Sequence, residues 1–289
     1  MRLLLTGGTG FLGGAIVAQA RAARTGDAFE ILPTWHVSPP PAGDGAHWLA
    51  LDLARPESIA RRVADARPDV VLHTAVAIAP SELAPVIVEG SRQLARAARA
   101  AGAAFLHLSS DMVFDGASGP FDEASPLSPI TDYGRAKAAA EQGVRAEHPE
   151  AFIARASLLY RLSPPDRALA HWLAGARRGA GHPLFSDEIR CPAHVDDVAA
   201  ALLRLAACVA GGAWKDDDPR TLHLVGPRAL SRYAFGCMVL DALGLDRALA
   251  VPGRSADSGL VRPRALHLLR RTTPRWLTDG LREPADALG

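Results

Sequence analysis

Tyr133 and Lys137 stand four positions apart in "DYGRAKAAAE", in a chain with three tyrosines and only two lysines. Chance gives about 0.02 such pairs in a chain of this composition, so the spacing carries information. On a helix the two side chains lie on one face, one turn apart. An ammonium beside a phenol favours the phenolate and is expected to draw the tyrosine pKa down toward working pH. Tyr133 then becomes a candidate general acid or base; the alternative is an incidental surface pair. Every other basic residue except Lys215 is arginine, a rigid fork that stays protonated, whereas lysine offers a compact ammonium on a flexible stem. Ser109 and Ser110 end an apolar run 23 residues before Tyr133. A hydroxyl there would hold a substrate carbonyl against the tyrosine, or would merely close a strand.

A second constellation opens the chain. In "RLLLTGGTGFLGG" an apolar run leads into Gly7, Gly10 and Gly13. This spacing suits a strand, a tight turn at Gly7, close approach of a pyrophosphate at Gly10, and a helix packed closely on the strand at Gly13. The helix N-terminal amides would face the anion. A carboxylate at the end of the second strand would grip the ribose of NAD and repel NADP; "PTWHVS" has Thr34, Trp35 and His36 instead. The cofactor is therefore NADP or NAD, with a lean to NADPH, and His36 is either a phosphate contact or a surface histidine. Asp52, ending the third strand, is placed to accept from an adenine amino group, or to sit at the N-terminus of the next helix near Ser58.

These groups need a scaffold. Strands are expected over 2–6, 29–36, 47–53, 69–76, 104–110 and 151–157. Helices are expected from the glycine turn to about Arg24, from Ser58 to Arg67, and over 82–102 and 132–147. Apolar strands alternating with helices imply an α/β fold, a doubly wound parallel sheet of Rossmann type. Beyond residue 158 the alternation weakens, with helical patterns at 166–179, 194–209 and 229–243 and short strands at "HPLF" and "TLHLVG". The expected division is a dinucleotide-binding domain over 1–157 and a smaller substrate-covering domain over 158–289, with interleaved segments allowed. Residues 39–45 read as a loop.

Composition narrows the classes. The chain is 48% hydrophobic and 22% charged with a net charge of +1, which argues against a nucleic-acid or membrane-surface partner. Glycines interrupt the apolar N-terminus, which otherwise imitates a signal peptide, and no apolar run reaches membrane-spanning length. Cys191, Cys208 and Cys237 have no paired spacing, which favours a reducing cytoplasm. No G-x-S-x-G elbow and no G-K-[ST] occurs. No metal site is expected; Asp196 and Asp197 read as charges favouring a helix N-terminus.

Together the glycines, "LSSDMVFDG", "FDEASPLSPITDYGRAKAAAE" and "HVDDVAAAL" resemble the extended short-chain dehydrogenases/reductases, and within them the dTDP-4-dehydrorhamnose reductase-like branch. The likeness is continuous over roughly 2–157 and patchy to about 245. It implies an oxidoreductase that reduces a 4-keto nucleotide sugar, with Ser110, Tyr133 and Lys137 as the catalytic set. Tyr133 would give the proton, Lys137 would bind the nicotinamide ribose, and Ser110 would hold the carbonyl. By the same resemblance Phe11, Leu12, Leu53, Thr74 and Ala75 join Gly7, Gly10, Gly13, His36 and Asp52 around the cofactor. Asp111, Val113, Phe114 and Arg190 fall on the substrate side, Arg190 as a diphosphate contact or a surface salt bridge. Three positions depart from the pattern: Ile87 replaces a family asparagine, His73-Thr74-Ala75 replaces Asn-Ala-Ala, and Met112 replaces an aromatic residue. Two other functions stay open. One is an epimerase or dehydratase using bound NAD as a transient hydride store; the other is a non-catalytic NAD(P)-binding regulatory module. Helices 82–102 and 132–147 would pair across a homodimer or lie in the core.

Overall fold

The structure is a computed structural model, and it describes residues 1–22, 29–40, 43, 45–215 and 217–288. Seven parallel strands form its main sheet. They include β1 (Arg2–Thr6), β2 (Glu30–Trp35), β3 (Leu49–Ala50), β4 (Val70–His73), β5 (Ala104–Ser110) and β6 (Phe152–Ala156). Three small two-stranded pairs follow. β7 (Leu159–Tyr160) pairs with β10 (Ala193–His194), β8 (His182–Phe185) with β13 (Ala250–Gly253), and β9 (Ile189–Arg190) with β12 (Leu230–Ser231). The seventh strand of the main sheet is β11 (Thr221–Leu224), at the outer edge of β6. Leu3, Leu4, Leu5, Val70, Val71 and Leu72 are all fully buried, as strands covered on both faces require.

Helices α1 (Phe11–Ala22) and α2 (Pro56–Ala66) follow β1 and β3. A short α3 (Pro80–Glu82), a π-helical stretch over Leu83–Gly90 and α4 (Ser91–Ala100) run end to end before β5. Next comes α5 (Asp132–Glu147). The second half supplies α6 (Arg167–Ala176), α7 (Val195–Ala210), α8 (Arg232–Ala242), α9 (Arg275–Thr278) and α10 (Pro284–Leu288). Helices α1 and α7 pack on one sheet face, α2 and α4 on the other. Thus β11 and α7, both beyond residue 158, complete the sheet of the first half.

The strand order β11-β6-β5-β4-β1-β2-β3 places β1 between β4 and β2. Connections leave β1 and β4 in opposite directions, and a crevice opens at their carboxyl ends.

Several elements are shorter than their sequence patterns. The strand expected over 47–53 contracts to Leu49–Ala50, because Asp52 already turns back to accept from the Ala54 amide at 2.9 Å. The strand over 69–76 stops at His73, where Thr74 Oγ1 donates to the Thr6 carbonyl instead of extending a ladder. The helix over 82–102 is not a single α-helix: Pro85 has no amide to donate, and the Leu83–Gly90 stretch winds as a π-helix. Helix α1 is described to Ala22; Ala23 and Arg24, included in the expected helix, lie outside the described residues, as do 41, 42 and 44 of the loop. Helix α5 matches its expected span.

Helix α5 is fastened to β6 from beneath. Arg155 donates to Glu141 through Nε at 3.0 Å and Nη2 at 2.8 Å, and the two side chains are 6% and 4% exposed. Ser109 Oγ adds a third hydrogen bond to Glu141, at 2.5 Å. Breaking a buried pair strands a charge, whereas replacing both partners removes it. Glu141→Leu is therefore expected to lower unfolding free energy by about 3–5 kcal/mol in urea titrations, with Glu141→Leu/Arg155→Met recovering most of the loss.

Candidate active site

The crevice is a cavity of about 630 Å³ that runs from the glycine turn to Tyr133. That volume is ordinary for a cofactor site. Gly7 has φ +73°, and a Cβ there would lie 2.8 Å from Ala75 N and Cα. A Cβ on Gly13 would come within 2.0 Å of the Gly7 carbonyl oxygen, so only glycine lets α1 start this close to β1. The Gly10 amide donates to the Gly7 carbonyl at 2.9 Å. The first amides of α1 have no intrahelical acceptor and stand free for an anion. This cradle and the helix terminus fit a dinucleotide diphosphate.

All the cofactor residues expected from sequence line the cavity: Gly7, Gly10, Phe11, Leu12, Gly13, His36, Asp52, Leu53, Thr74 and Ala75, with Tyr133 and Lys137 at the far end. At the adenosine end His36 Nε2 lies 3.7 Å from Asp52 and Arg55 Nε lies 3.2 Å from the same carboxylate. Arg55 is exposed and does not itself line the cavity.

The other end is set by α5. Thr131 Oγ1 caps the helix by accepting from the Gly134 amide at 3.0 Å. A Cβ on Gly134 would lie 2.2 Å from the Met112 carbonyl oxygen, so glycine seats the helix start directly on the turn after β5. This contact brings Tyr133 to Ser110. Burial pushes the Tyr133 phenol up to about 12, and the Asp111 carboxylate adds to the rise, while a hydrogen bond with Ser110 opposes it. The expectation that Lys137 draws the phenol down is not met: burial and the Asp111 carboxylate raise it, and the group that opposes them is Ser110. Lys137, 4% exposed, donates from Nζ to the Leu108 carbonyl at 2.7 Å. Burial pulls its ammonium down to about 8, and Glu141 one turn away resists that fall.

The substrate-side residues scatter. Val113 and Phe114 are fully buried in a core cluster with Phe121, Leu266 and Leu268, so they do not reach the cavity; the apolar 3₁₀ turn faces inward. Asp111 is 4% exposed and accepts from Ser157 Oγ at 2.6 Å and from Ser110 Oγ at 3.2 Å. Burial raises its carboxyl above the usual range, against the pull of Arg190. Arg190 is 6% exposed and turned inward. It meets Glu188 at 3.1 Å and Asp111 at 3.7 Å and donates to the Ile189 and Pro263 carbonyls. It forms a buried salt bridge, not the surface one weighed from sequence. Ser157, just past β6, also lines the cavity and was missed; as with Ser110, the signal is a hydroxyl at a strand's carboxyl end. Ile87 packs among Ala136, Ala140 and Tyr133, replacing the family asparagine with hydrocarbon.

With the phenol held near 12, titration of tyrosinate absorbance is expected to show almost no ionised Tyr133 at pH 10, where a free phenol is half ionised. One tyrosinate equivalent by pH 8, lost in Tyr133→Phe, would contradict this environment.

Comparison with known proteins follows the same lines. The chain is 31% identical to dTDP-4-dehydrorhamnose reductase of Mycobacterium tuberculosis, over 97% of this chain and 88% of that protein. It is 29% identical to methionine adenosyltransferase 2 subunit beta of Xenopus laevis, over 84% and 72%. Among solved structures, dTDP-4-dehydrorhamnose reductase of Bacillus anthracis in complex with NADP superposes with a TM-score of 0.78 at 21% identity, over 99% and 96% of the two chains. The RmlD substrate binding domain family matches residues 1–277, and the chain belongs to that family.

Proposed function

We propose that this protein is an NAD(P)H-dependent reductase of a 4-keto nucleotide sugar, a dTDP-4-dehydrorhamnose reductase-like oxidoreductase. The observation that carries the reading is the meeting of Tyr133, Ser110 and Lys137 at one end of a cavity whose other end fits a dinucleotide. The reductase of Mycobacterium tuberculosis, similar along nearly the whole chain, supports the same substrate class.

Reduction of a ketone consumes one hydride and one proton. Reduced nicotinamide, when bound, supplies the hydride. The chain supplies the proton: Tyr133, with its pKa near 12, stays protonated at neutral pH and is suited to donate to the developing alkoxide oxygen. Ser110 has a hydroxyl at the cavity wall, and its one hydrogen, donated to Asp111 in the structure, would turn to the substrate oxygen to steady it. Lys137, one helical turn from the tyrosine, would bind the nicotinamide ribose. Asp111 is buried and tied to Ser157 and Arg190, which fits the positioning of Ser110. Phe11, Leu12, Leu53, Thr74 and Ala75 would flank the cofactor. His36 at the cavity wall, with no acid ending β2, favours NADPH.

The part beyond residue 158 covers the sugar nucleotide in this reading, and the protein works in the cytoplasm. Three free cysteines suit that compartment, and no described helix is long and apolar enough to cross a membrane. Helices α4 and α5 pack side by side within the chain, and a homodimer with two helices per subunit would use their outward faces.

A second reading rests on the similarity to methionine adenosyltransferase 2 subunit beta together with the apolar packing of Ile87: a nucleotide-binding subunit of another enzyme. Tyr133→Phe separates the two. With dTDP-4-keto-6-deoxy sugars as substrates, the variant is expected to lose about 10²–10⁴-fold in kcat while binding NADPH normally. Wild-type protein that binds NADPH tightly and turns over no such sugar would overturn the reductase reading.

A further inference from the structure

His73 ends β4 at the crevice yet lines no part of it. Its ring is 2% exposed, with Nδ1 2.6 Å from Thr6 Oγ1 and Nε2 2.9 Å from Ser91 Oγ. Thr6 Oγ1 also accepts from the Ala75 amide at 3.3 Å, and the Thr6 carbonyl accepts from Thr74 Oγ1 at 2.7 Å. Thr6 Oγ1 takes the Ala75 N–H on one lone pair and keeps a second lone pair and its own hydrogen, so a neutral His73 bridges Thr6 and Ser91, one ring nitrogen donating and the other accepting. Burial, with the nearby Lys137 charge, drives the ring pKa down to about 3 and keeps it neutral.

We infer that His73 is a positioning residue for the cofactor: the Ser91–His73–Thr6 chain braces the wall formed by Thr6, Gly7, Thr74 and Ala75 and sets dinucleotide affinity from outside the cavity. Three features make the brace necessary. Thr6 and His73 are register partners where β1 meets β4, the point at which strand connections diverge. Gly7 and Ala75 are so close that a single added Cβ would collide, so a small slide of β1 against β4 alters both walls of the cradle. Among the described residues no other side chain bonds to His73, and His107, whose ring centroid is 5.2 Å away, has neither ring nitrogen bonded to a described protein atom. Ser91 begins α4, which packs on the sheet face at Val71 and Phe105, so the brace anchors the cradle to the helix layer.

The test is NADPH and NADH binding, read by nicotinamide fluorescence without any sugar substrate, so its outcome is independent of the reductase reading. His73→Phe fills the space without hydrogen bonds, and Ser91→Ala cuts the chain at its far end. His73→Phe is expected to weaken binding of the preferred cofactor about tenfold, the loss of about one buried hydrogen-bond partnership. Ser91→Ala is expected to weaken it about threefold, though Ser91 does not touch the cavity. His73→Asn keeps a polar group that cannot span both hydroxyls; it is expected to fall between wild type and His73→Phe and serves if the latter fails to fold. A merely structural histidine would lower the melting midpoint and leave the dissociation constant alone. That result, in any of these variants, overturns the proposal.

Discussion

A lysine ammonium held almost out of water, over the carboxyl ends of the strands, is the constraint around which the rest of this site is arranged. Lys137 gives one hydrogen to the Leu108 carbonyl, and Glu141, one turn along α5, supplies opposing charge. Glu141 is in turn neutralised by Arg155 on β6 and bonded by Ser109 on β5. The cation is therefore tolerated because a buried network beneath the helix ties α5 to both neighbouring strands. The same fastening places Tyr133 at the far end of the cavity, where burial keeps its proton on. An acid that stays protonated at neutral pH suits a group that gives up its proton only to a developing alkoxide.

The second half of the chain is bound into this arrangement. The Glu123 carboxylate, in the loop before α5, accepts from the amides of Arg271, Thr272 and Thr273 and from the Thr273 hydroxyl. Phe121 exchanges backbone hydrogen bonds with His267 and Leu269. Asp111, Glu188, Arg190 and Arg262 form a further charged cluster between the two halves. Arg190, weighed from sequence as a diphosphate contact, is committed to this cluster.

Much of the cofactor half was legible from short-range rules. The glycines announce themselves because close approach excludes every other residue, and the Tyr133–Lys137 spacing is a local helical fact. The path of β5 and the span of α5 followed from apolar runs and periodicity. What was not legible depends on contacts distant in sequence. The inward turn of Arg190 depends on Glu188 and on Asp111 across the fold, and the burial of Val113 and Phe114 on Leu266 and Leu268. The direction of the Tyr133 shift depends on how much water the fold excludes, which no pairwise spacing encodes. Pro85 was visible, but its consequence is a π-helical winding, not a simple kink, in a stretch that packs against α5.

The most direct test of the buried cation uses the rarity of lysine. With two lysines in the chain, selective ¹⁵N-lysine labelling gives two side-chain signals, and Lys137→Met identifies one of them. Followed from pH 6 to 11 by NMR in the folded protein, the Lys137 signal is expected to titrate near 8. Titration of the Lys137 signal above pH 10 would mean that Lys137 is solvated, and would contradict the site as described.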